Sequence, residues 1–102
     1  MLNKHDPEVR RLAELAIKYG HSVDLNDDRL RCIRIIMFGK GPMLKDIKSE
    51  YLAKCLSGLS VELTLSVLKA LDIVEQRADE SYVLTRDFAD LVIELKPELM
   101  PA

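Results

Sequence analysis

A chain of 102 residues, 48 % apolar and 31 % charged, with four glycines and four prolines, has the balance of one folded core and not of a disordered segment. Its longest apolar run, Ile35-Ile36-Met37-Phe38, is far short of the roughly 20 residues that span a bilayer. No secretory apolar block opens the chain, so a cytoplasmic protein without a membrane partner is expected. The formal charge of −2 conceals a split: residues 1–55 carry 11 Lys/Arg against 8 Asp/Glu, while residues 56–102 carry 4 against 9. Cations for any polyanion are therefore expected mainly from the first half.

In chain order, Asp6-Pro7 opens a first helix whose apolar positions recur at Val9, Leu12, Ala13, Ala16 and Ile17, ahead of Gly20. Asn26 is the expected cap of a second helix, with Asp27 and Asp28 in its first turn, a core face at Leu30, Ile33, Ile36 and Met37, and a stop at Gly39. Gly41-Pro42 forces an extended step at Met43. A third helix is expected through Leu44, Ile47, Tyr51, Leu52 and Cys55, and Ser57-Gly58 breaks it. A fourth begins near Ser60 and carries Val61, Thr64, Leu65, Leu68 and Leu71 on one side. The β-prone runs Ile73–Arg77 and Ser81–Thr85 flank a polar Ala78-Asp79-Glu80 turn and predict one hairpin. A fifth helix from Arg86 to Leu95 should stop before Pro97.

Helix, short helix, tight turn, helix, hairpin, helix is the order of a winged helix-turn-helix. The run Leu65-Ser66-Val67-Leu68-Lys69-Ala70-Leu71-Asp72-Ile73-Val74-Glu75 resembles the family pattern L-x-x-L-x-x-x-G-L-V-E, which leaves the recognition helix and enters the wing. Leu56-Ser57, nine residues before Leu65, sits where the family places the L-S of its turn, and Tyr82-Val83-Leu84-Thr85 resembles the Y-x-L-T that closes the wing. On these residues the chain resembles MarR- and ArsR-type regulators over roughly residues 28 to 95, with Asp72 in place of the usual glycine. The resemblance implies a mainly α fold with a small β-hairpin: five helices plus a two-stranded wing. It also implies one domain, with an N-terminal helix extension over 1–27, a winged core over 28–85 and a C-terminal helix over 86–102. A DNA-binding transcriptional regulator follows, homodimeric through terminal helices that carry spare apolar residues at Leu15, Tyr19, Ile93 and Leu99.

For double-stranded DNA as partner, the expected contacts are Lys45, Lys48, Lys54, Ser57, Ser60, Thr64, Lys69 and Arg77, with support from Lys40 and from Arg29, Arg31 and Arg34. Equally, these cations suit solvated helix faces with local ion pairs, such as Lys45 with Asp46 or Glu50. The alternative function is a protein-interaction module on the same architecture. Leu59, Leu63, Val67 and Ala70 widen the apolar side of the fourth helix, while Glu62, Asp79 and Glu80 repel phosphate.

No catalytic, metal or cofactor constellation is expected. Asp24, Asn26 and Asp28 imitate a calcium loop, but Arg29 stands at its glycine position and Ile35 at its terminal glutamate. His5 and His21 have no zinc spacing to a cysteine, and Gly39-Lys40-Gly41 lacks the phosphate-loop spacing. Cys32 and Cys55 read as free thiols buried on helix faces.

Overall fold

The computed structural model describes residues 1–19 and 27–99; the Asp24 and Asn26 expectations and that for His21 lie outside them. Among the described residues the order is α1 (Pro7–Tyr19), α2 (Asp28–Phe38), α3 (Leu44–Ala53), α4 (Val61–Ala70), β1 (Val74–Gln76), β2 (Tyr82–Leu84) and α5 (Arg86–Leu99). The fold is mainly α with one small antiparallel hairpin, an order compatible with a winged-helix architecture. None of these helices is long and apolar enough to cross a membrane.

One cluster of buried side chains draws on every element, from Val9 and Leu12 of α1 through Leu30 and Ile33, Ile47 and Tyr51, Leu65 and Leu68, Val74 and Tyr82, to Phe88 and Leu91 of α5. The three-to-four-residue spacing of these positions within each helix is what lets five amphipathic faces meet. The cap of α2 is Asp27, whose carboxylate accepts the Arg29 N–H at 3.0 Å. That replaces the expectation for Asn26, and it has a consequence for charge. Arg11 of α1 bridges Glu8 at 2.8 Å and Asp27 at 3.0 Å, and Arg29 reaches Glu8 at 2.8 Å. Hydrogen bonding from Arg11 holds the Glu8 carboxyl below the usual range, and at Asp27 the upward effect of burial is outweighed by Arg11 and Arg29 together.

The step after α2 behaves as Gly41-Pro42 requires. Gly41 takes φ +64 beside the Ser81 side chain, where glycine alone pays no steric cost. Pro42 is then presented to the hairpin, and its carbonyl accepts the Tyr82 N–H at 2.8 Å. Within the hairpin Val74 pairs with Leu84, Glu75 with Val83 and Gln76 with Tyr82. Its turn is closed by Arg77 N–H to Ser81 O at 2.8 Å, with Glu80 at φ 73 supplying the left-handed residue of a three-residue loop.

Two expectations about helix ends are corrected. The third helix stops at Ala53, not Cys55: Cys55 adopts φ 58, its N–H bonds Leu52 O and the Leu56 N–H returns to Tyr51 O, both at 2.9 Å. This is a Schellman stop, and it leaves Leu52 75 % exposed instead of in the core. α4 ends the same way, with Asp72 at φ 59 and Ile73 N–H reaching back to Leu68 O. Asp72, which stands where the resembled pattern has a glycine, therefore occupies a left-handed position. Cys55→Gly is expected to raise unfolding free energy by about 1 kcal/mol, because a Cβ is strained at that φ. A urea titration in which the midpoint falls would refute this.

The fifth helix continues past Pro97 to Leu99. Pro97 removes one hydrogen bond to the carbonyl of Ile93, but Ile93 is 68 % exposed and water can serve that carbonyl. Thr85 fixes the other end, accepting the Phe88 N–H at 3.2 Å and donating to Asp72 O at 2.5 Å.

Candidate interaction surface

α4 has two faces of opposite use. Val61, Thr64, Leu65 and Leu68 are buried against the core, and Glu62, Leu63, Ser66, Val67, Lys69 and Ala70 are exposed. Leu59, in the turn just before, is 94 % exposed, Leu63 70 % and Val67 38 %. Spaced four and three residues apart, Leu63, Val67 and Ala70 run along one side of the helix, open to water, with Leu59 exposed in the turn ahead of them.

The turn into α4 is pinned by one carboxylate. Asp28 of α2 accepts the Ser60 hydroxyl at 3.0 Å, Arg31 Nη1 at 3.0 Å and the Tyr51 hydroxyl at 3.2 Å. It thus ties α2, α3 and the start of α4 at a single point. The sequence marked Asp28 only as a first-turn acid, since nothing local reveals partners 23 and 32 residues away.

The eight expected DNA contacts fare differently. Thr64 is 8 % exposed on the packed side of α4, so its hydroxyl is withheld from any base edge. Ser60 is engaged by Asp28. Lys48 lays its stem over Gly58, where an added Cβ would sit 3.5 Å from Lys48 Cγ, and its ammonium meets Glu62 at 2.8 Å. That pair neutralises a cation and an anion at the front of α4. Ser57 is exposed and accepts the Leu59 N–H at 3.3 Å. Lys45, Lys54, Lys69 and Arg77 are exposed, but Lys45 and Lys54 stand at opposite ends of α3, and Lys69 and Arg77 lie beyond α4's middle. The local pairing expected for Lys45 gives way to a different use of Asp46, which accepts the Met43 N–H at 2.9 Å. Of the supporting arginines, Arg29 is bound to Glu8 and Arg31 to Asp28.

The acids converge more than the cations do. Burial raises the Tyr82 pKa first, and Glu62 and Glu80 add to it, so the first turn of α4 and the hairpin turn act on one residue. Glu75 and Asp79 are exposed on the same hairpin, against Arg77 as its cation.

The thiols separate as well. Cys32 is buried, with Sγ 3.6 Å from the Tyr51 hydroxyl, and desolvation pushes it up to about 11. Cys55 was expected in the core and is exposed, because the left-handed stop turns it outward. One thiol per chain is expected to react promptly with an aromatic disulfide reagent at pH 8, and none in Cys55→Ser. Prompt reaction at both sites in the native protein would contradict the burial of Cys32.

Among the described residues no group of three or more His, Cys, Asp or Glu side chains is gathered to hold a metal. No protein-family model, curated protein or solved structure matches the chain.

Proposed function

We propose that the chain is a winged-helix protein akin to the MarR and ArsR regulators it resembles, and that its α4 face and hairpin dock onto a protein instead of reading DNA. The observation that carries this is the exposed line of Leu59, Leu63 and Val67 where a DNA reader needs polar and cationic groups. Apolar surface held open on a helix recovers its hydration cost by burial against a partner. The acids beside it, Glu62, Glu75, Asp79 and Glu80, select a partner whose apolar patch is rimmed by basic groups. The role is one of binding, not catalysis. It belongs in the cytoplasm, where two unpaired cysteines remain reduced.

DNA binding is the second reading, favoured by the exposed Lys40, Lys45, Lys54 and Lys69. One pair of measurements separates them. A photo-crosslinker at Ser66 in the cells that make the protein should yield a discrete, nuclease-resistant protein adduct. Fluorescence anisotropy against a mixed-sequence duplex at low salt should show no binding, since groove readers keep a sequence-independent phosphate attraction. A salt-sensitive duplex complex with no protein adduct would reverse the assignment.

The proposed homodimer through the terminal helices is supported by Ile93, exposed on α5. Leu15 is half-buried against the core of its own chain, and the side chains of Tyr19 and Leu99 lie outside the described residues. Light scattering at micromolar concentration tests it: a mass twice 11.6 kDa supports the dimer, and the single-chain mass removes it.

A further inference from the structure

Between α2 and α3, lined by no residue of α4, lies an open groove of about 410 Å³. Its apolar part is formed by Ile35, Phe38, Pro42 and Leu56, and Phe38 keeps 50 % of its surface exposed there. Around this lie Arg31, Arg34, Lys40 and Lys54. Two acids share the lining, Asp46 and Glu50, and the Asp46 carboxylate also accepts the Met43 N–H. Arg31 is already paired with Asp28 at 3.0 Å, so in a chain of formal charge −2 the lining sets Arg34, Lys40 and Lys54 against Asp46 and Glu50.

Volume, lining and charge together define what fits. The space lies in the range of small-molecule sites, which are concave and largely apolar with a few polar groups that fix orientation. A neutral apolar molecule leaves the lysines without a counter-charge, and a bare inorganic anion leaves Phe38 and Ile35 wet. A molecule with an apolar body and one anionic head satisfies both. Lys40 follows the end of α2 and Lys54 caps α3, and both are exposed, so their flexible stems can bring the ammonium groups to the head group. We propose that this groove is a binding site for a small amphipathic organic acid, distinct from the protein-docking face.

The probe is 1-anilinonaphthalene-8-sulfonate, an apolar body with a single anionic group, titrated into the full chain and followed by its fluorescence. Saturable binding at one site per chain is expected, displaced by octanoate and not by 1-octanol at equal concentration. Charge reversal at the two exposed lysines, Lys40→Glu with Lys54→Glu, should weaken binding at least tenfold. Phe38→Ser, also at an exposed position, should weaken it independently of charge. Lys18→Glu on α1 is the control and should bind as the parent does. Circular dichroism of each variant checks that the helices are retained. The proposal is overturned by non-saturable binding, by equal displacement with octanol, by undiminished affinity in the lysine and phenylalanine variants, or by loss of the signal in Leu63→Glu, which would move the probe to α4. The groove and the docking face share no residue, so either site can fail without the other.

Discussion

Leu63→Glu is expected to leave the fold intact and to abolish partner capture. At 70 % exposure the side chain makes little of the core, and surface substitutions of this kind normally move stability by less than about 0.5 kcal/mol. In a docked complex the same position lies between Leu59 and Val67, at the centre of the apolar line, where interface energy concentrates. A carboxylate there must be desolvated beside Glu62, in a region already acidic, so affinity should fall by about thirtyfold or more, which corresponds to roughly 2 kcal/mol. The readout is the protein adduct formed by the crosslinker at Ser66, with the thermal midpoint as the control. An unchanged adduct with an unchanged midpoint would remove α4 from the interface.

Leu68→Ala should do the reverse. Leu68 is on the same helix, one turn further along and on the opposite side, with no exposed surface. Truncation removes buried methyl groups and leaves a cavity, a loss of about 2–5 kcal/mol for a fully buried leucine. Native domains of this size hold only about 5–15 kcal/mol, so the variant should unfold at markedly lower urea, with the slope of the transition preserved. A midpoint within error of the parent would mean that α4 is not seated by this residue. The two leucines form an internal comparison: one chemical type and one helix, with stability on one face and recognition on the other.

Much of the architecture was legible because it is locally encoded. Pro7, Gly39, Gly41-Pro42 and the Ala78-Asp79-Glu80 turn bracket elements that appear where the residues require them, and period-three-to-four apolar spacing gave the inner faces of α1, α2 and α4. The misplaced ends have local causes that a pattern of apolar residues does not reveal. Cys55 is not a residue associated with left-handed stops, so the Schellman turn after Ala53 was invisible, and Leu52 was assigned to a core it does not enter. Pro97 was read as a terminator, although a proline in a solvated last turn removes a bond that water replaces.

The candidate site was legible only by halves. That Leu63 and Val67 share one side of a helix follows from their spacing, but spacing is silent on whether a neighbouring element covers them or the nearby Leu59. Their exposure is a tertiary fact, as are the pairing of Lys48 with Glu62, the capture of Ser60 by Asp28 and the burial of Thr64. Three of the eight expected DNA contacts are thereby engaged or hidden, and no rule of sequence distance anticipates it. The groove between α2 and α3 had no sequence signal beyond an aromatic followed by Gly39-Lys40-Gly41-Pro42, since its walls come from segments that meet only on folding.

By itself, then, the order of amino acids determined which segments are helical, where the chain reverses and which half is acidic, because those properties depend on neighbours a few residues away. Folding decided which charges cancel, which hydroxyls are withheld and which leucines face water, because those depend on what lies across a gap of a few ångströms from residues tens of positions distant.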